Sequence, residues 1–252
     1  MKKIIITKLR QLEKEHSVTI LYACEAGSRA YGLQTNESDY DVRFIFKYET
    51  SEYLKLRRPA EVLTHHEGLV EYHGWDLYKA MELLNKSNPS LYEWLFSSEV
   101  YIENTSFAMT IRELIQNNYS LKSLGYHYLQ LLRTNMKKRV KEPSYKHTKI
   151  LLHIVRSYSY LHYMKTYKQL PLVAFSRGIS MLTLNKEQQE AVDELQSCKK
   201  TGRPVRQSTY ECLHERIHSQ MENLQMIVEE LPEGKRMRSD IDLLLLNQHK
   251  SM

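Results

Sequence analysis

The sequence of 252 residues carries 36 lysine and arginine residues against 30 acidic ones, which gives a formal net charge of +6. Its length allows one large domain or two small ones, and without an 18-residue apolar run we expect no membrane-spanning segment. Three widely spaced cysteines, with no Cys-x-x-Cys pair, argue against a disulfide framework or a zinc motif and predict a reducing, cytoplasmic location.

The first elements follow from the spacing of apolar residues. This spacing predicts an α-helix over residues 3–15, with Ile4, Leu9 and Leu12 on one face. Strands are predicted over 18–24 and 41–46, because both segments are short, apolar and bounded by turn residues. The polar connection that follows the second strand is long enough for a short helix.

The segment between these two strands carries the chemistry. Side chains alternate along a strand, so Asp39 and Asp41 are expected to point to the same side. Two neighbouring carboxylates offer the hard oxygen ligands that Mg²⁺ prefers, and Mn²⁺ is the alternative ion. Gly27 lets the backbone approach a phosphate, and Ser28 offers a hydroxyl to the same oxygens. The pattern therefore predicts a metal site beside a phosphate site.

Two motifs carry a family resemblance. Residues 27–32 read Gly-Ser-Arg-Ala-Tyr-Gly, and residues 38–43 read Ser-Asp-Tyr-Asp-Val-Arg. Together they resemble the signature of the DNA polymerase beta nucleotidyltransferase superfamily, in the form found in RNA-repair-pathway nucleotidyltransferases of bacteria and phages. The resemblance implies Mg²⁺-dependent transfer of a nucleoside monophosphate from an NTP to a hydroxyl. It also implies nucleotide contacts from these motifs, by Gly27, Ser28, Arg29 and Arg43.

The acceptor of the nucleotide stays open at this point. An RNA end agrees with the basic charge balance and with the resemblance, and a hydroxyl of a protein or of a small molecule agrees equally well with the site. A different class of function is a non-catalytic nucleotide-binding or antitoxin-like interaction module. Such a module would bind nucleotide without depending on Asp39 and Asp41, and the complete signature favours the enzyme.

The resemblance implies a third carboxylate on a neighbouring strand, and two residues compete for this role. Residues 61–76 are predicted to form a hairpin with Gly68 near its turn. Glu71 lies in the middle of the second strand, whereas Asp76 directly precedes a predicted helix and suits the N-cap position. We favour Glu71 as a metal ligand or general base, with Asp76 as the alternative.

The remainder of the chain is predicted to be mainly helical. After a break at Asn88-Pro89 and a restart at Leu91, helical spacing dominates. The predicted helices cover 108–118, 121–141, 145–167, 186–198, 208–230 and a terminal segment, 236–252. The expected fold class is α+β, with a small mixed nucleotidyltransferase sheet and flanking helices in residues 1–104 and a helical bundle in 105–252.

One helix of this second half carries two further site residues. Lys149 and Arg156 are seven residues apart on the helix predicted over 145–167, so they lie along one face. The family has a lysine and an arginine on such a helix. The resemblance therefore implies that Lys149 and Arg156 bind the triphosphate.

Overall fold

The computed structural model of the chain divides into two compact units. It describes residues 1–35, 37–138, 144–171 and 173–250. The first unit contains Met1–Ala30, Ser38–Tyr119 and Lys235–Met252, and the second contains Tyr31–Glu37 and Ser120–Gly234. Within the described residues, no helix combines the length and the apolar character needed to cross a membrane.

A five-stranded mixed sheet forms the centre of the first unit. Its strands are β1 (Val18–Glu25), β2 (Tyr40–Tyr48), β3 (Val62–Glu67), β4 (Val70–Asp76) and β5 (Val100–Glu103). The spatial order is β3-β4-β2-β1-β5. The β2–β4 pair is parallel and the other three pairs are antiparallel. The expected α+β class with a small mixed sheet is confirmed.

Helices make up most of the rest of each unit. In the first unit they are α1 (Lys2–His16), α2 (Gly27–Ala30), α3 (Thr50–Tyr53), α4 (Leu77–Asn85), α5 (Pro89–Leu95) and α6 (Thr105–Asn118). The second unit contains α7 (Leu121–Met136), α8 (Tyr145–Tyr167), α9 (Phe175–Ile179), α10 (Lys186–Thr201), α11 (Gln207–His218) and α12 (Met221–Glu229). The chain then returns to the first unit as α13 (Arg238–Lys250).

Helix α1 covers one face of the sheet. Ile5, Leu9 and Leu12 are buried and pack on apolar strand residues such as Phe44. Ile4, which the sequence placed on this face, is 63% exposed, so that assignment is wrong. The buried stripe continues from Leu9 back to the residue four positions earlier, which is Ile5, as the helical period requires.

Tertiary contacts explain the elements that the sequence did not reveal. Strand β5 has only four residues, too few for a visible alternation, and it forms because its backbone pairs with β1.

The single helix predicted over 208–230 is wrong, since the helix ends at His218 and a new one begins at Met221. Helix α7 ends at Met136 with Lys137 as its C-cap, so the helix predicted over 121–141 is wrong at residues 137 and 138; its last predicted residues, 139–141, lie outside the described residues.

The first unit extends beyond the range 1–104 that the sequence suggested for a sheet domain. Helix α6 belongs to it, and Arg112 of α6 donates from Nε to the carbonyl of Leu95 at 2.8 Å. The terminal helix α13 also belongs to it, and Lys47 of β2 donates from Nζ to the carbonyl of Gln248 at 2.5 Å. Both contacts join segments that are distant in sequence, so local patterns could not reveal this division.

Candidate active site

Asp41 and Glu71 face each other across two neighbouring strands. They are direct partners in the parallel β2–β4 register, so their backbones lie about 4.8 Å apart. Arg43 joins them, because its Nη2 lies 3.0 Å from Asp41 Oδ1 and its Nη1 lies 2.8 Å from Glu71 Oε1. The three side chains therefore form one ion-paired group on one face of the sheet.

Asp76 lies elsewhere on the same strand. Its register partner is Phe46, five pairs beyond Asp41 and Glu71, a separation of about 16 Å along the strand. Both carboxylate oxygens are occupied: Oδ1 accepts the backbone N–H of Tyr78 at 2.9 Å, and Oδ2 accepts the hydroxyl of Tyr53 at 2.6 Å. Asp76 is the N-cap of α4, as its position in the sequence suggested.

The turn after β1 approaches the Asp41 carboxylate closely. Gly27 has a φ of +58°, and a Cβ at this position would lie 2.0 Å from Asp41 Oδ2. The backbone N–H of Ala26 also donates to the Asp41 carbonyl at 2.8 Å. Only glycine fits between the turn and the carboxylate, and Ser28 follows it as a half-buried residue of the short helix α2.

Arg29 holds the loop that carries Asp39. Its Nη2 donates to the carbonyl of Ser38 at 2.8 Å and its Nε to the carbonyl of Asp39 at 3.3 Å. The guanidinium also lies 3.6 Å from the centroid of the Tyr40 ring. Asp39 is exposed and directly precedes β2, which begins at Tyr40, so Arg29 positions this carboxylate through the main chain.

The charges around Asp41 act on its ionisation. Burial raises the pKa of the Asp41 carboxyl above its usual range, the Arg43 guanidinium lowers it, and the negative charges of Glu71 and Asp39 raise it further. The three carboxylates predicted as a metal set, Asp39, Asp41 and Glu71, are therefore close enough to interact electrostatically. A cation at this place would relieve their repulsion.

The donor set suits a hard divalent cation in its chemistry. All three groups are carboxylates, the ligand type that Mg²⁺ and Mn²⁺ prefer, and the absence of a side chain at Gly27 lets the turn lie directly against Asp41 Oδ2. In the described part of the chain, no three His, Cys, Asp or Glu side chains are already gathered around one point. The positive charge beside Asp41 and Glu71 is that of Arg43, which contacts both carboxylates.

Glu25 is a site residue that the sequence reasoning missed. Its side chain is 1% exposed. Its Oε1 accepts the backbone N–H of Asp41 at 2.8 Å, and its Oε2 accepts the hydroxyl of Tyr101. Glu25 thereby fixes the start of β2 against the end of β1. A glutamate ending an otherwise apolar strand, two residues before Gly27, was the available signal.

Lys149 and Arg156 lie on α8 in the second unit, in different environments. Lys149 is exposed, with its Nζ 5.0 Å from the centroid of the Tyr145 ring. Arg156 is 7% exposed, and its guanidinium lies 4.0 Å from the centroid of the Tyr31 ring. The two residues predicted to share one face of the helix are thus one exposed and one buried cation.

Comparison with known proteins assigns the chain to a family. The model of the RNA repair pathway DNA polymerase beta family matches residues 1–247. The chain belongs to this family. It is thus a polymerase-beta-like nucleotidyltransferase by descent, and the resemblance carried by residues 27–32 and 38–43 is confirmed.

Individual relatives of this family member add little about chemistry. An uncharacterized protein of Bacillus subtilis strain 168, YcgL, is 31% identical over 251 residues, which cover 98% of this chain and 96% of the relative. A solved nucleotidyltransferase-like protein from Exiguobacterium sibiricum is 12% identical, with a TM-score of 0.34 over 98% of this chain and 80% of the other. That structural similarity is too low to support an argument.

The buried position of Glu25 leads to a prediction about pH. Burial raises the pKa of Glu25 in the folded protein, so its contribution favours folding at low pH and is lost as the pH rises through the raised value. The variant Glu25→Gln lacks this titration. We therefore expect the unfolding free energy of the wild type, relative to Glu25→Gln, to decrease as the pH increases from about 4 to about 7, as measured by urea denaturation.

Tyr101→Phe is the matched control for this experiment. The Tyr101 hydroxyl lowers the pKa of Glu25 by donating to it, so its removal should raise that pKa and steepen the pH dependence of stability. A difference between the wild type and Glu25→Gln that does not change with pH would contradict the prediction.

Proposed function

We propose that the chain transfers a nucleoside monophosphate from an NTP to an acceptor hydroxyl, with pyrophosphate as the leaving group and Mg²⁺ or Mn²⁺ as the cofactor. The observation that carries this proposal is the direct pairing of Asp41 with Glu71 across β2 and β4, beside the Gly27 turn. Membership of a polymerase beta family supports the same reaction class.

Each residue of the site has a proposed role. Asp39, Asp41 and Glu71 would hold the divalent ion, which when bound supplies positive charge to the phosphoryl group being transferred. The Gly27 backbone and the Ser28 hydroxyl would contact the β- and γ-phosphates. The Glu71 side chain is 51% exposed, compared with 28% for Asp41, so Glu71 is the group better placed to take the proton of an attacking hydroxyl.

The two arginines of the motifs act first on protein groups in this proposal. Arg43 balances the charges of Asp41 and Glu71, and Arg29 keeps Asp39 in place through the loop backbone. Direct contact of either guanidinium with the nucleotide stays a prediction, as does the binding of the triphosphate by Lys149 and Arg156.

An RNA end is the acceptor that we favour. The family description names an RNA repair pathway, and the net charge of +6 agrees with a polyanionic substrate. To identify the acceptor, the purified chain is incubated with each α-³²P-labelled NTP and Mg²⁺ or Mn²⁺, with and without total cellular RNA, and analysed on denaturing gels. Label in RNA is the expected result; label on the protein would indicate transfer to side chains.

Asp41→Asn tests the catalytic proposal itself. The variant should abolish label transfer, because it removes one carboxylate charge from the site, and its melting temperature should stay near that of the wild type. Unchanged transfer by Asp41→Asn would refute the proposed active site. NTP binding that survives the combined loss of Asp39 and Asp41, without transfer by the wild type to any acceptor, would favour the non-catalytic interaction module.

Glu71 and Asp76 are distinguished by a pair of isosteric variants. We expect Glu71→Gln to reduce the rate of pyrophosphate release about 100-fold or more, the usual effect of losing an acid–base group, with little change in melting temperature. Asp76→Asn should instead lower the melting temperature, since Asp76 caps α4 and accepts the Tyr53 hydroxyl, and should retain most of the activity. The opposite pattern would assign the third carboxylate to Asp76.

The close approach of Gly27 to Asp41 supplies a further test. Gly27→Ala would force the Asp41 carboxylate to move, and we expect at least a 100-fold loss of pyrophosphate release, the scale of a misplaced catalytic group. Gly68→Ala is the matched control, because Gly68 has nearly the same φ, +59° against +58°, with no atom within 4 Å of its added Cβ. Equal losses in the two variants would show that backbone strain alone is responsible.

A further inference from the structure

The positive charge of the second unit is concentrated in one part of the sequence. Residues 120–186 contain 13 lysines and arginines and one acidic residue, whereas residues 187–234 contain 5 basic and 10 acidic residues. The helices α7, α8 and α9 belong to the first of these segments. This segregation is much stronger than the overall charge of +6 indicates.

Two lysine ammonium groups share one tyrosine ring at the beginning of α8. The Nζ atoms of Lys149 and Lys199 lie 5.0 Å and 5.9 Å from the centroid of the Tyr145 ring. Lys149 is exposed, while Lys199, near the end of α10, is only 7% exposed. Among the ion pairs of the described residues, neither lysine has a carboxylate partner.

A buried hydroxyl holds the two parts of this arrangement together. Thr148 on α8 is fully buried, and its Oγ1 donates to the carbonyl of Arg203 at 3.2 Å and accepts the N–H of Val205 at 3.1 Å. The loop after α10 is thereby fixed against the first turns of α8. We use the name α8 cationic cluster for five cations carried by the first turns of α8, the end of α10 and the loop that follows α10: Lys146, Lys149, Lys199, Lys200 and Arg203.

The α8 cationic cluster differs from other cations of the same unit. Lys122, Lys186 and Arg206 have carboxylate partners, which are Glu233, Glu190 and Glu194 respectively. Within the cluster, Lys149 and Lys199 instead lie beside one shared tyrosine ring, and Lys199 is only 7% exposed. An aromatic ring offsets only part of the cost of burying a cation, so the arrangement is one that an anion would stabilise.

We propose that the α8 cationic cluster binds the phosphodiester backbone of a single-stranded nucleic acid. The cations come from segments that are distant in sequence, and Lys146, Lys149 and Lys200 are exposed. Several separate cations fit consecutive phosphates of a polyanion better than one isolated phosphate. This inference goes beyond the transfer reaction, since binding requires neither an NTP nor a divalent ion.

The test measures binding of the full chain to a labelled single-stranded RNA of about 20 nucleotides by fluorescence anisotropy. The assay contains no NTP or divalent ion, and the salt concentration is varied from about 50 to 250 mM. Lys146→Gln/Lys149→Gln changes two exposed residues, so folding should be retained, and a melting curve checks this. We expect binding at least tenfold weaker at about 0.1 M salt, and a plot of log Kd against log[salt] that is shallower by about 1.4, the value for two lost phosphate contacts.

Lys122→Gln/Lys186→Gln is the matched control, because it removes the same charge from the same unit at positions with carboxylate partners. We expect less than a twofold change. Equal weakening by the two double variants would overturn the proposal in favour of a diffuse charge effect. NTP binding that is lost in Lys146→Gln/Lys149→Gln while RNA binding is retained would assign the cluster to the triphosphate, and RNA binding that neither variant changes would also overturn the proposal.

Discussion

The position of Asp41 is the constraint on which the site depends. Its backbone N–H donates to Glu25 and its carbonyl accepts from Ala26, so the end of β1 holds it on both sides. Its carboxylate contacts Arg43 and lies against Gly27. Each contact requires a particular residue type: a buried acceptor, a turn without a Cβ and a cation. The turn, the first residues of β2 and the carboxylate are therefore fixed together, before any ligand binds.

Local sequence patterns predicted those parts of the fold that depend on residue preferences at helix ends and in turns. Asp76 before an amphipathic segment is the N-cap of α4, and Gly68 lies in the turn of the β3–β4 hairpin. The parallel pairing of β2 with β4 could not be predicted in this way, because α3 and β3 lie between them in the sequence and the register of such strands is a tertiary property. That register places Glu71, and not Asp76, opposite Asp41. The sequence left both residues as candidates for the third carboxylate because it does not contain this register.

The cations of the motifs show a second limit of sequence reasoning. An arginine near a carboxylate pair can contact a nucleotide or the carboxylates, and the sequence does not distinguish these uses. In the structure Arg43 neutralises Asp41 and Glu71, and Arg29 supports the loop before β2. Without Arg43, two carboxylates on adjacent strands would repel each other. The carboxylate pair therefore already has a cation beside it, which keeps the two side chains oriented.

The two units differ in net charge. The three segments of the first unit hold 18 basic and 18 acidic residues, so the entire excess of +6 belongs to the second unit. A carboxylate site in a neutral unit offers no long-range attraction to a nucleotide or a nucleic acid. In the proposed function both substrates are polyanions, so the basic second unit, which is covalently linked to the site, would supply the attraction that raises their local concentration near the protein. In this proposal the carboxylates of the first unit serve the transfer reaction, and the cations of the second unit attract the substrates.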